Sequence, residues 1–492
     1  MQDGLALLDL HRGQAPALER METLAADGLA RIISADEYAT MARHAWLREQ
    51  AADLEHERHE LRMCVVWPWR LRWRRRRIEQ MGARLREWHA EARELRRQLH
   101  ALGLARERPE QYVRLDDGRY AAPTPQGVDA LYAWAYSDAC DGLIEPVAGR
   151  DHAAACMSAY ARMVAHWRVA YPAPILGTTA AMLCAAPASE LDATLERSLA
   201  LVDHWVRRLR TCPADRIAVA APIALACQPN EDPLAVAGRA EGYQERLRAY
   251  GFPRQRETMW AGAWLMLHGF PVTRLGRVYD LWRRMVAVGW SMSAATYPYA
   301  ARLALVRGRP VEVAIRVERI YREMAERAMA EGRAKAVAAS ILAHSDLYPT
   351  ARHGSARLME ARSVYADMVD RMMALRERLP RREDSAWGDS RLAAAAILAL
   401  MPGSLERVWE AFALTLEALR EAAGPRVPRA GPAGIDPLTG AALLLCDRAW
   451  GGRVSHQVFA FEACAACCPE SWDELTMFRL TAPGGPAWTK RE

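Results

Sequence analysis

At 492 residues the chain has room for two or three domains or for one extended repeat array, and its formal net charge is only +6. The longest apolar run, Leu392 to Met401, is about half of what a bilayer-crossing helix needs, which argues against a transmembrane segment. Ten scattered cysteines read as small buried hydrophobes in a reducing compartment rather than a disulfide framework. That compartment would be the cytoplasm, or an organelle matrix if a leader has been removed.

The first residues, Met1-Gln2-Asp3-Gly4, lack a basic-then-apolar leader pattern. Residues 1–40 read as one or two short helices, with Leu5 to Leu10 apolar and Ser34-Ala35-Asp36-Glu37 a helix-start signal. Residues 41–105 read as a helical hairpin of coiled-coil character. Its second arm places Met81, Leu85, Trp88, Ala92, Leu95, Leu99 and Leu102 at alternating spacings of four and three. Its first arm places Leu47, Ala51, Leu54, Arg58 and Leu61 on the same spacing, with one polar break. Pro68 lies between the arms and cannot continue a helix. An antiparallel hairpin is the preferred reading, with a parallel dimer through the second arm as the alternative.

The hairpin tip carries the one segment of chemical character. Trp67, Trp69, Arg70, Arg72, Trp73, Arg74, Arg75, Arg76 and Arg77 are the candidate residues for an anionic partner. Residues 62–97 hold twelve arginines against four glutamates, a net +8, so the remainder of this +6 chain is −2. The basic balance is therefore local. Arginine forks bind phosphate bidentately, and tryptophan stacks on bases or sits at a lipid headgroup boundary. Three readings stand side by side: an RNA backbone, an anionic membrane surface or acidic protein groove contacted peripherally, and a merely solvated tip. All but two of the 66 basic side chains are arginine, Lys335 and Lys490 being the exceptions, and Asn230 is the sole asparagine. That bias reads as GC-rich coding before it reads as physics.

Residues 106–145 form a different module. Tyr112 to Leu115, Asp116-Asp117-Gly118 and Arg119 to Ala121 predict a short β-hairpin around a tight Asp-Gly turn. Thr124-Pro125 then predicts a capped helix start. The hairpin followed by Thr-Pro-Gln-Gly is similar to the wing of winged-helix domains, although no preceding recognition helix is evident. A structural joint between coiled coil and repeats is the preferred reading.

Residues 146–470 carry two interleaved ladders. Tyr160, Trp205, Tyr243, Trp282, Tyr321, Tyr365 and Trp409 are each followed three residues later by Met, Arg or Phe, at intervals of 38 to 45 residues. Small pairs fall between them at Ala180-Ala181, Ala220-Ala221, Gly262-Ala263, Ala300-Ala301, Ala338-Ala339, Ala394-Ala395 and Ala441-Ala442. Such a recurrence marks a repeat architecture: about seven helical hairpins, helix A carrying the aromatic and helix B the small pair. Val278, Leu281, Trp282, Met285 and Val288 make one helical stripe.

Thr296-Tyr297, Gly308, Ala314 and Ile320-Tyr321-Arg322-Glu323-Met324 give one unit the look of a pentatricopeptide repeat. Over residues 240–375 the chain resembles the pentatricopeptide and tetratricopeptide superclass of helical-hairpin repeats. The resemblance implies an α-solenoid and, as an alternative function, RNA binding by the repeats. Pro298 occupies the position where that family places a small polar base-reading side chain.

Residues 376–391 and 424–440 read as linkers, the latter with four Gly and four Pro. Residues 471–492 read as a tail. Cys464, Cys467 and Cys468, with Cys446 or His456, have metal-like spacing inside an apolar context, so buried cysteines are the preferred reading over a metal-dependent enzyme. His56-Glu57-Arg58-His59-Glu60 does not have zincin spacing, and there is no phosphate-binding Gly loop, nucleophile elbow or dinucleotide fingerprint. The expectation is an all-α protein with a minor β-hairpin and no catalytic, metal or cofactor residues. It would dock other proteins of a complex, (ribonucleo)protein in character, along the repeats and an anionic partner at the tip.

Overall fold

The computed structural model describes residues 15–63, 71–105 and, with interruptions, 107–423, together with residue 441. Those residues are predominantly helical, with one small antiparallel sheet. They divide into two units: residues up to 132 with the short segment Pro271–Arg274, and the chain from Ala133 onward without that segment.

The first unit runs α1 (Ala15–Ala26), β1 (Ala30–Ile33), α2 (Ala35–Met63), α3 (Leu71–Ala101), β2 (Val113–Arg114) and β3 (Tyr120–Pro123). Residues 30–33, expected within a short helix, form a strand. Gly28 at φ +70° ends α1, and β1 then pairs antiparallel with β3, Ala30 opposite Pro123 and Ile33 opposite Tyr120. Four residues are too few for alternation to show in the sequence. The Asp116-Asp117-Gly118 turn forms as expected, with Gly118 at φ +84°. β2 and β1 flank β3, so the hairpin completes a three-stranded sheet rather than standing alone. The Leu29 carbonyl ties the two ends together. It accepts from the Thr124 backbone N–H at 2.8 Å and from the Thr124 hydroxyl at 2.9 Å. A Cβ on Gly127 would come within 2.1 Å of that same oxygen, so only glycine fits there.

Helix α2 starts at a reciprocal cap. The Glu37 N–H donates to the Ser34 hydroxyl at 3.2 Å, and the Ser34 N–H returns to the Glu37 carboxylate at 2.8 Å. That backbone donor holds the Glu37 carboxyl below the usual range. α2 and α3 pack along their lengths, with Arg43 on Glu91, Trp46 on Trp88 and Arg58 over Gly82. The pairing runs in opposite directions along the two helices, which is the antiparallel arrangement. The polar break at Arg58 is accommodated because Gly82 leaves room for it. The seam buries Leu47, Ala51, Met81, Leu85 and Leu99, but Leu102 is exposed. α3 stops at Ala101 and Gly103 turns the chain at φ +67°, so Leu102 is off the helical stripe. Ile33, Met41, Leu99, Leu104, Tyr112 and Ala122 form the core at the sheet end of this hairpin, with Tyr38 stacked on Tyr120 at 3.8 Å.

The second unit contains α4 (Gly149–Trp167), α5 (Ala173–Leu183), α6 (Leu191–Leu209), α7 (Pro233–Ala249), α8 (Arg256–Leu267), α9 (Gly276–Ala287), α10 (Tyr297–Leu303), α11 (Pro310–Glu326), α12 (Arg333–Leu342), α13 (Arg362–Arg378), α14 (Gly388–Ala399) and α15 (Leu405–Ala423). The seven aromatics fall on α4, α6, α7, α9, α11, α13 and α15. The small pairs of α5, α8, α10, α12 and α14 lie on the helices between. Ala220, Ala221 and Ala441 are helical and fully buried as well.

The two helix sets are buried differently. Every residue from Leu392 to Ala399 is buried, as is all of α10. The aromatic-bearing helices are amphipathic instead, with Val278, Leu281 and Met285 buried on α9 and charged residues outward. Gly262 shows why the small residues are needed. A Cβ there would sit 3.1 Å from the Ala240 carbonyl and the Gln244 nitrogen of α7. Where the residue three positions on is Met or Phe, it is the deepest side chain of the rung. Met163, Met285, Met324, Met368 and Phe412 are fully buried, whereas Tyr243, Trp282, Tyr321 and Trp409 are half-buried.

A recurring clip joins α7, α9, α11 and α13 to the end of the buried helix that follows each. The Tyr243 hydroxyl donates to the Phe270 carbonyl at 2.6 Å, beyond α8. Arg277 donates to the Ala304 carbonyl at 2.8 Å and to Val306, beyond α10. Arg316 reaches the Ala343 carbonyl at 3.0 Å, beyond α12, and Arg371 the Met401 and Gly403 carbonyls, beyond α14. Helix C-termini leave carbonyls without intrahelical donors and carry partial negative charge, so a guanidinium is the fitting cap.

Neighbour relations run around this unit. α4 packs on α6 and α6 on α7; Phe252, just past α7, packs on Tyr279 and Trp282 of α9. α9 packs on α11, α11 on α13, and α13 on α15. α15 packs closely on α4, more than two hundred residues earlier. The Ser404 N–H and hydroxyl, which open α15, both donate to the Asp141 carboxylate at 2.7 Å. α8, α10, α12 and α14 form a parallel sequence of contacts among the buried helices.

Candidate polyanion-binding surface

The α2–α3 hairpin presents its arginines in two ways. Away from the tip several are engaged, although Arg86 and Arg96 are exposed and make no hydrogen bond or ion pair among the described residues. Arg43 holds Glu91 at 2.8 Å and lies over Trp46, and Arg84 lies over Trp88 at 4.5 Å. Arg97 pairs with Glu94 within α3. Arg31 of β1 caps the end of α3 through the Leu102 and Gly103 carbonyls. At the start of α3, by contrast, Arg72, Arg75 and Arg76 are exposed and make no hydrogen bond or ion pair among the described residues. Arg77 is exposed and Arg74 half-buried; both engage other groups of the chain.

The apolar side chains of these turns are exposed too, Trp73 at 57% and Leu71 at 47%. The inward face of α3 begins with Ile78, half-buried, and continues with Met81, Gly82 and Leu85, all buried. No acidic residue occupies the first turn, where the positive end of the helix favours one. Arg72, Arg75, Arg76 and an exposed indole at that end therefore form a positive surface with no acidic partner among the described residues. Trp67, Trp69 and Arg70, the other expected residues of this surface, lie outside the described residues. Cationic character persists further along the arm: desolvation, with Arg48 and Arg96 nearby, holds the His44 imidazole below its usual value.

The second unit carries an open groove of about 800 Å³ along α15, lined by Asp141, Trp409, Glu410, Leu414 and Glu417 among others. Sequence reasoning placed Trp409 on the ladder but missed Asp141, whose partner Ser404 is 263 residues away. No local signal reports a pairing of that separation. The groove is shallow, and carboxylates at Asp141, Glu406, Glu410 and Glu417 stand in it beside Trp409, Ala413 and Leu414.

Among the described residues, no group of three or more His, Cys, Asp or Glu side chains is placed to hold a metal ion. Cys446, His456, Cys464, Cys467 and Cys468 lie outside them. Cys156, Cys184 and Cys227 are buried and form no disulfide among the described residues, and burial pushes the Cys227 thiol up. No helix of the described residues is long and apolar enough to cross a membrane. No protein-family model, curated protein sequence or solved structure matches the chain. The fold and this surface together define a class rather than a family: a predominantly helical protein with a basic helical arm and a second unit of alternating amphipathic and buried helices.

Proposed function

We propose that this protein is a non-catalytic scaffold or assembly subunit. Its second unit is a closed circuit of helical hairpins that docks protein partners, and its arm grips an anionic partner. The circuit is supported by the alternation of helix types and by the packing of α15 on α4, which an extended array would leave far apart. The open groove along α15 is the surface offered to a protein. The arm reading rests on density of charge at one helix end. Arg72, Arg75 and Arg76 lie within five residues beside the exposed Trp73 and make no hydrogen bond or ion pair among the described residues.

The order helix, strand, helix, helix, strand, strand, with β3 central, is also that of a winged-helix domain. α2 and α3 would be its second and third helices, lengthened into an arm. Base reading by the repeats, the alternative, meets an obstacle at Pro298, which is buried inside α10 and offers no side chain to a nucleotide.

The test is retention on an immobilised polyanion such as heparin. Changing Arg72, Arg75 and Arg76 to Ala is expected to lower the eluting salt clearly more than changing Arg86, Arg93 and Arg96, an equal loss of charge elsewhere on the arm. Equal shifts for the two triple variants would refute a localised anion grip.

A further inference from the structure

Resting on the anionic-partner reading, we infer that the tip of the arm binds single-stranded nucleic acid, stacking a base on Trp73 and holding the adjoining phosphates with Arg72, Arg75 and Arg76. Residues three and four apart share a helix face. Trp73 therefore has Arg76 and Arg77 as its neighbours along the helix, and Arg72 has Arg75 and Arg76. The exposed indole is thus set among guanidinium groups, with Arg72 and Arg76 about 6 Å apart along the axis. A base needs a flat apolar face, and the phosphates on either side of it need cations within a few ångströms.

A membrane surface asks for a different arrangement. An interfacial helix segregates its apolar residues on one face and its cations on the other. Here Leu71 and Trp73, two residues apart, point to nearly opposite sides of the helix, and arginines interleave them. Duplex nucleic acid fits the geometry less well. Bases paired in a duplex offer no free face to an indole, and the β2–β3 turn is not placed to supply a second contact. The 29 residues of helix from Leu71 to Leu99 hold the basic turns roughly 40 Å from the sheet. That turn is itself acidic, at Asp116 and Asp117.

The experiment uses the full chain and fluorescence anisotropy with labelled 20-nucleotide strands, both RNA and DNA. A duplex of the same sequence and vesicles containing phosphatidylserine serve as competitors, over a range of salt. Single strands are expected to bind most tightly, and the RNA and DNA arms tell the two sugar chemistries apart. Arg72, Arg75 and Arg76 changed together to Ala should reduce the slope of log affinity against log salt by about two. Trp73→Ala should weaken binding about tenfold at every salt concentration and leave the slope unchanged. All four side chains are exposed, so circular dichroism melts of both variants should match the parent. If the arginine variant loses binding while Trp73→Ala does not, and duplex competes equally, the single-strand inference falls and the anionic grip stands. If the arginine variant binds as the parent does, both fall. Displacement by vesicles alone would assign the tip to a lipid surface and overturn the inference.

Discussion

Arg277, Arg316 and Arg371 show how an arginine-rich composition is used inside a helical protein. Each is substantially buried and directs its guanidinium to carbonyls past the end of the next helix, so burial is offset by charge-assisted hydrogen bonds at a negative helix end. Replacing any one by Leu should strand those carbonyls and lower stability by about 1–3 kcal/mol, measurable by denaturant unfolding. Lys335 is the opposite case. It is 1% exposed, and its ammonium makes no hydrogen bond among the described residues, lying 4.0 Å from the centre of the Tyr321 ring. The ring face compensates an ammonium only in part, because cation–π attraction is about 2 kcal/mol when desolvated and removal from water costs several. Lys335→Met should therefore raise the unfolding midpoint, whereas Tyr321→Leu should lower it. A lower midpoint for Lys335→Met would mean that the ammonium is better satisfied than its surroundings indicate.

At the scale of elements, α11 and α13 are joined by a charge network with a pH signature. Arg327, just past α11, donates to the Asp370 carboxylate at 3.0 Å, to the Ala366 carbonyl and to Glu323. The Arg327 guanidinium holds the Asp370 carboxyl below the usual aspartate range. A carboxyl depressed in the folded state stabilises the fold above its unfolded value, and that contribution is lost as pH falls through the folded value. Asp367 acts in the other direction, since desolvation and the nearby Asp370 charge push it up. Asp370→Asn is therefore expected to flatten the acid limb of a stability–pH curve measured by urea unfolding, its cost being largest above the ordinary aspartate value and shrinking as pH falls below it. An unchanged limb would show that the pair is fully screened. The ladders made the order of these elements legible, because period and small-residue spacing are properties of the chain. Strand β1 was not legible. Four residues gain their strand identity only by pairing with β3, ninety positions on.

For the molecule as a whole, the contact between α4 and α15 decides how far damage spreads. In a row of repeats, removing the last unit costs that unit and one interface. Here α15 also covers α4, burying Val408, Phe412 and Leu419, and Asp141 caps its start. Ending the chain after Gly403 should thus destabilise the first hairpin as well as the last, seen as loss of a single cooperative thermal transition. Retention of that transition with a slightly lower midpoint would indicate an extended array. Phe412→Ala, a cost of about 3–5 kcal/mol, is the milder version of the test.

What the sequence by itself determined was local and periodic: which segments are helices, which helices are amphipathic, where the small pairs fall, and where positive charge concentrates. Each follows from residue spacing and side-chain type, which do not depend on distant parts of the chain. The tertiary structure decided what depends on distant pairings. It put residues 30–33 into a sheet, set arginines as caps about thirty positions from their acceptors, and brought Asp141 to Ser404. It also showed that Arg43, Arg84 and Arg97 are engaged within the arm, whereas Arg72, Arg75 and Arg76 make no hydrogen bond or ion pair among the described residues. The physical reason is the same throughout. A hydrogen bond or ion pair depends on where two groups meet in space, and a composition of many arginines does not say which of them already have a partner.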